Sequence, residues 1–278
     1  MASVLRGEFL VSNSNHRDTE FTEIAQRSGS LVDTSGRSRN MHKKIGAIAI
    51  ESFALLVLLG TAHQAIAQNA ATRYAKMAPI EQYLMDRTAE IALARSAAPE
   101  SISADADVLV LGRHGFETAV KGNNGFVCIV GRGWSSAADP DFWNPKVRVP
   151  ICMNSPAART YLLAITKITE LGLAGRNLAQ VNEAIADATA KKELPPMEPG
   201  AMCYMTGKQG YGGDVVPHWF PHLMFFYSDT DPAIWGANLP GSPVIGIADP
   251  LFHLTQFVIA VERYSDGTPA PSTADHKH

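Results

Sequence analysis

The sequence lacks an excess of charge of either sign. Its 24 lysines and arginines stand against 27 aspartates and glutamates, which gives a formal net charge of -3. A protein that gathers nucleic acid or coats an anionic membrane surface through its charge needs a basic field, and this chain has none. Nucleic acid is therefore not an expected partner.

The chain also lacks an apolar run long enough to cross a bilayer. A spanning helix needs about 20 consecutive apolar residues, whereas the strongest apolar run here covers residues 53–60 and is preceded by Glu51 and Ser52. A basic start at residues 41–44 and the small-x-small sequence at residues 65–67 complete the pattern of a secretory signal peptide. We therefore predict a periplasmic or secreted protein with no stable membrane span after signal cleavage. The alternative is that the segment stays uncleaved and anchors the protein.

These signals divide the chain into four parts. Residues 1–40 are polar and are interpreted as an unstructured extension or as a start codon assigned too early. Residues 41–67 form the signal peptide, and residues 68–267 form a single domain. The small, polar, proline-containing residues 268–278 predict a disordered tail.

Cysteine is scarce, with three residues in the chain. An oxidising compartment favours disulfides, and Cys128 and Cys152 are the expected pair. They close a loop of about 25 residues, for which chain entropy predicts about 3 kcal/mol of stabilisation. Cys203 lies in an apolar run and is expected to be a buried, inert thiol, although its pairing with either partner stays open.

The periodicity of the apolar residues predicts an α+β domain in which an antiparallel or mixed sheet has helices packed on one side. Asn124-Gly125, between two apolar runs, is typical of a hairpin turn. Helices are predicted at about 79–97, 154–171 and 177–191, and strands at 108–111, 116–120, 126–130, 201–205, 223–227 and 255–264.

The first candidate for catalysis is Arg113-His114-Gly115, which follows a predicted strand. This motif resembles the phosphate pocket of the histidine phosphatases. The resemblance implies that His114 would be the phosphorylated nucleophile and that Arg113 would bind the phosphoryl group. The alternative is a histidine in the turn of a solvated hairpin.

The second candidate is Ser135 in the sequence Gly133-Trp134-Ser135-Ser136-Ala137. This sequence resembles the nucleophile elbow of the serine hydrolases, with Ala137 in place of the last glycine. That chemistry requires a helix directly after the serine, to aim the backbone donors of the oxyanion hole. The alternative is a surface loop.

A third motif, His218-Trp219-Phe220-Pro221-His222, predicts no metal site. Pro221 prevents a helix, and in an extended segment the two histidines begin ~13 Å apart. They therefore cannot share one ion bound at ~2.0 Å. His218 and His222 are kept as candidates for ligand binding, as are Trp134, Asp214 and Trp219.

No cofactor is predicted. The glycine-rich residues 207–214 have their lysine before most of the glycines and no serine or threonine after it, so they do not form a P-loop. They are interpreted as a mobile loop.

Residues 124–128, 142–146 and 150–152 together resemble a group of uncharacterised exported bacterial proteins. The resemblance implies export and a single domain, and it carries no information about activity. Aromatic residues in glycine- and proline-rich loops, together with the absence of a complete catalytic motif, lead us to expect an exported non-catalytic envelope or ligand-binding protein, whose partner is an unknown small ligand or another envelope component. The alternative is an extracytoplasmic hydrolase of the histidine-phosphatase or serine type.

The proposed signal peptide makes a direct prediction about the mature protein. Cleavage after Ala67 leaves Gln68 as the first residue, which N-terminal sequencing of the native exported protein measures. Recovery of a peptide from residues 18–27 in the native precursor would contradict translation from Met41.

Overall fold

The computed structural model describes residues 74–136, 141–214, 218, 220–249 and 252–270. The predictions for the extension, the signal peptide and residues 271–278 lie outside these ranges. No helix within the described ranges is both long enough and apolar enough to span a membrane.

The described residues form eight strands, five α-helices and three short 3₁₀ turns. The strands are β1 (Asp107–Gly112), β2 (Gly115–Val120), β3 (Val127–Gly131), β4 (Val149–Met153), β5 (Met202–Met205), β6 (His222–Ser228), β7 (Val244–Asp249) and β8 (Leu254–Ala260). The helices are α1 (Arg87–Arg95), α2 (Glu100–Ser103), α3 (Ser155–Arg159), α4 (Tyr161–Leu173) and α5 (Leu178–Ala190). The 3₁₀ turns are Ile80–Gln82, Gly133–Ser135 and Pro232–Trp235.

All eight strands belong to one sheet, in the order β2-β1-β3-β4-β5-β6-β8-β7. Among the described strands, β1 and β3 pair in parallel and every other neighbouring pair is antiparallel. The predicted α+β class and the mixed sheet are therefore confirmed.

The hairpin predicted at Asn124-Gly125 is wrong. The hairpin joins β1 to β2 instead, with Arg113 and His114 as the two residues between the paired Gly112 and Gly115. Asn124 does form a turn, because its side chain accepts a hydrogen bond from the Phe126 backbone N–H at 3.0 Å. That turn returns the chain so that β3 lies parallel to β1, and turn chemistry alone does not specify this pairing.

Helices lie on both faces of the sheet. Along β3 and β4 the side chains alternate between two cores, with Cys128 and Cys152 in one and Ile129 and Ile151 in the other. Helix α1 packs against β1, β3 and β4 in the first core, while α4 and α5 supply the second. The prediction of helices on one side therefore describes α4 and α5 but not α1.

Two predicted helices are interrupted. The helix expected at 79–97 splits because Asp86 caps α1, its carboxylate accepting from the Ala89 N–H at 2.9 Å. The helix expected from residue 154 breaks at Thr160 into α3 and α4.

The prediction for α5 is confirmed, with Asn177 and Gln180 forming its capping box.

The C-terminal predictions also need correction. Strand β7 was missed, and β8 ends at Ala260 rather than continuing to residue 264. The first three residues assigned to the disordered tail fold back, since Pro269 forms a bridge with Arg263 and the Ala270 N–H donates to the Glu262 carbonyl at 2.8 Å.

The predicted disulfide between Cys128 and Cys152 is present. The two residues lie directly opposite each other on β3 and β4, with their Cα atoms 3.9 Å apart. Cys203 is buried, and in the register of β4 and β5 it lies directly opposite Met153. Its side chain therefore points to the sheet face opposite to that of Cys152. The thiol of Cys203 is therefore separated from the disulfide by the sheet itself.

A buried ion pair connects the sheet to α1. The Arg132 Nη2 atom lies 2.9 Å from Glu90 Oε1, and the two side chains are 0% and 1% exposed. The guanidinium also donates to the Tyr83 carbonyl at 2.9 and 3.1 Å and to the Val130 carbonyl. Burial lowers the pKa of Arg132, and the charge of Glu90 opposes that change.

Removal of this guanidinium should strongly destabilise the fold. Arg132→Met leaves Glu90 buried without its partner, which should lower the free energy of unfolding by about 3–5 kcal/mol. Arg159→Met, which removes an exposed pair with Glu198, is the control and should cost much less, because solvent screens that pair. Urea denaturation measures both, and equal losses would contradict the special role of Arg132.

Candidate functional site

A cavity of about 310 Å³ lies over the sheet face that carries α4; we call it the central cavity. Its floor comes from neighbouring strands, because alternation brings one side chain in two to this face. The floor residues on β4, β5, β6, β7 and β8 are Ile151, Cys203, Met205, Met224, Ile247 and Gln256.

The remaining walls come from three other segments. Tyr161 stands at the start of α4, Ser135 closes the 3₁₀ turn after β3, and Gly212 belongs to the glycine-rich loop. Tyr161 stacks on Phe226 of β6, with the ring centroids 4.3 Å apart, and its hydroxyl donates to the Ser135 carbonyl at 2.5 Å. The wall opposite the floor is therefore held by packing and by hydrogen bonding.

His222, a predicted ligand-binding residue, lines this cavity at the start of β6. Its Nδ1 atom lies 2.7 Å from the Phe220 carbonyl oxygen. A carbonyl oxygen can only accept, so Nδ1 carries the hydrogen, and Nε2 of the neutral ring carries the lone pair that can accept a hydrogen bond. Burial lowers the pKa of His222, which favours this neutral form.

Ser135 also lines the central cavity, but its surroundings differ from a nucleophile elbow. Its Oγ atom accepts the backbone N–H of Arg132 at 3.0 Å. The chain continues into an extended residue at Ser136, with φ -132° and ψ 123°, whereas an elbow needs a helix there. Ala137 lies outside the described residues.

Arg113 and His114 lie away from the central cavity, in the exposed turn between β1 and β2. Both line an open groove of about 900 Å³. The Arg113 guanidinium is bound to the carboxylate of Glu81, so the group that would hold a phosphoryl oxygen already has an anionic partner. Of the histidines in the described ranges, His114 alone lines this groove.

The other predicted residues do not join a common site. Trp134 is fully buried in the core and donates from Nε1 to Thr169 Oγ1 at 2.8 Å. His218 is exposed, and Trp219 lies outside the described residues. Asp214 is exposed and accepts the hydroxyls of Tyr74 and Tyr211.

The hydrogen bond to Asp214 is also the main cause that raises the pKa of Tyr211 to about 12. The phenol therefore stays protonated at neutral pH and can keep donating to the carboxylate.

Within the described ranges, no cluster of three or more histidine, cysteine, aspartate or glutamate side chains has a geometry that could hold a metal ion.

The sequence reading missed Gln256, Cys203 and Tyr161 as cavity residues. Gln256 is 3% exposed, and no hydrogen bond of its Nε2 atom is present within the described residues. A buried glutamine in a strand whose other residues apart from Thr255 are apolar is unusual, because this residue type is mostly exposed. That polar position in β8 was the signal available in the sequence.

The lowered pKa of His222 predicts an acid-sensitive contribution to stability. In the unfolded chain the His222 imidazole takes up a proton near pH 6.5, the ordinary pKa of histidine. In the folded chain it takes up the proton only at a lower pH. The contribution is complete above that value and is lost as the pH falls below it. Urea denaturation from about pH 7.5 to about pH 5.5 should therefore show a smaller loss of stability in His222→Gln than in the wild type.

His218→Gln is the matched control, because it removes an exposed imidazole four residues earlier in the chain. It should keep the wild-type dependence on pH. An identical dependence in His222→Gln would contradict the prediction.

The chain matches no protein-family model, and no curated protein or solved structure is significantly similar to it. The resemblance to exported bacterial proteins therefore stays a prediction.

Proposed function

We propose that this protein is an exported, non-catalytic binding protein whose central cavity takes a small neutral ligand. The observation that carries the proposal is the cavity itself, which has about 310 Å³ of space and a mostly apolar lining with a few buried polar groups. Small-molecule sites in proteins share this combination, because apolar walls supply affinity and a few polar atoms fix orientation.

The volume limits the size of the ligand. It equals the space of about ten water molecules at liquid density, so we expect a ligand of roughly ten non-hydrogen atoms. Met205 and Met224 form part of the apolar floor, and methionine side chains adapt to ligands of different shape.

The charge balance of the lining favours a neutral ligand. Among the described lining residues, Arg132 is the one basic side chain that stays charged at neutral pH, and its guanidinium is already occupied by Glu90 and by the carbonyls of Tyr83 and Val130. A carboxylate brought into this space would lose its water without gaining a free cation, which is costly.

Export is part of the proposal. The disulfide between Cys128 and Cys152 supports it, because such bonds persist in oxidising compartments and are rare in the cytosol. The signal-like residues 41–67 support the same conclusion from the sequence.

The hydrolase alternative has less support. Ser135 and His222 line the same cavity, which is the observation in its favour. However, no hydrogen bond joins them among the described residues, and Ser136 is extended where a nucleophile elbow needs a helix. At the phosphatase-like motif, the Arg113 guanidinium already forms an ion pair with the Glu81 carboxylate.

Binding in the cavity can be tested through its methionines. In protein labelled with ¹³C at the methionine methyl groups, 1-octanol should shift the resonances of Met205 and Met224, because both side chains line the cavity. Met202 lies on β5 but points to the opposite face, so its resonance should not move.

Ile247→Trp should weaken this binding, because the larger ring at a lining position reduces the space. Ile234→Trp, at a 76% exposed position outside the cavity, is the matched control. Equal shifts of all three methionine resonances, or none at all, would contradict the proposal. Labelling of Ser135 by a fluorophosphonate would instead favour the hydrolase.

A further inference from the structure

The register of the sheet places two polar side chains at opposite ends of the central cavity. His222, Met224 and Phe226 share one face of β6, and Gln256 lies opposite Phe226 on β8. Four residues separate His222 from Phe226, which is ~13 Å along the strand. The sulfur-containing side chains of Met224 and Cys203 lie between the two ends.

The His222 end offers a hydrogen-bond acceptor. Nδ1 donates to the Phe220 carbonyl, so Nε2 of the neutral ring carries the lone pair. An acceptor of this kind binds a hydroxyl or an N–H group of a ligand.

The Gln256 end needs an acceptor. The Gln256 side chain is 3% exposed and lines the cavity, and its Nε2 atom makes no hydrogen bond within the described residues. A buried amide N–H without an acceptor is unfavourable. A carbonyl, ether or hydroxyl oxygen on a ligand would satisfy it once the amide turns toward the cavity.

We infer that the cavity selects neutral ligands with two polar ends joined by an apolar middle, a donor for His222 and an acceptor for Gln256. This inference rests on the proposed function, since it names the chemical class of the ligand in the same cavity. The size agrees, because a chain of about eight carbons with an oxygen at each end fills a space of about ten atoms. The apolar middle lies against Met224, Ile151 and Ile247.

The test compares 1,8-octanediol with 1-octanol, using the Met205 and Met224 methyl resonances to measure each Kd. A purely apolar cavity binds the diol more weakly, because its second hydroxyl loses water and gains no partner. With partners at both ends, the diol should bind at least as tightly as 1-octanol.

The two variants separate the ends. Gln256→Leu and His222→Phe should each weaken binding of the diol about tenfold, while 1-octanol keeps one polar end and should change by less than about threefold. His218→Phe, at an exposed position outside the cavity, is the control and should change neither ligand. Gln256→Met, which keeps the length of the side chain, provides a second variant if Gln256→Leu does not fold.

The outcomes distinguish this inference from the proposed function. If 1-octanol binds but the diol is weaker, and neither variant alters the ratio of the two Kd values, the two-ended selection is overturned while the binding function stands. If neither alcohol shifts Met205 or Met224, the binding function itself fails and the inference fails with it.

Discussion

The buried contact between Arg132 and Glu90 joins α1, the two parallel strands β1 and β3, and the segment before α1. Glu90 belongs to α1 on one face of the sheet, and its Oε1 atom also accepts the Leu111 N–H of β1 at 3.2 Å. Arg132 follows β3 and reaches the Tyr83 carbonyl before α1. Since burying either charge alone is costly, the helix, the two parallel strands and the turn after β3 have to assemble together.

The same contact determines what the central cavity offers to a ligand. Arg132 lines the cavity but its guanidinium is turned to protein partners, so among the described lining residues no free charge faces the apolar floor. The turn that starts at Arg132 also positions Ser135, whose carbonyl accepts the Tyr161 hydroxyl. The stability of this corner and the neutral character of the cavity thus have one physical origin.

Local features of the fold could be predicted from the sequence, whereas long-range pairing could not. Asn177 and Gln180 indicate the start of α5, because a capping box depends on two residues three positions apart in the sequence. The Asn124-Gly125 turn was recognised as a turn, yet the strands on either side of it do not pair with each other. Arg132 gave no signal of its burial, because arginine is mostly exposed and its partner Glu90 lies 42 positions away.

In the candidate site, too, local features could be predicted from the sequence and long-range pairing could not. The two histidines of one motif illustrate the reason. His218 and His222 have identical side chains four residues apart, yet His218 is exposed and His222 is buried in the cavity wall. What differs is that His222 opens β6 on the face shared with Met224, opposite Met205 of β5. Gln256 reaches the same cavity because β8 is aligned with Gln256 opposite Phe226, and a slip of one residue would turn it to the other face. Residue type therefore indicates which side chains could bind a ligand, but the register between β5, β6 and β8 determines which of them line the same cavity.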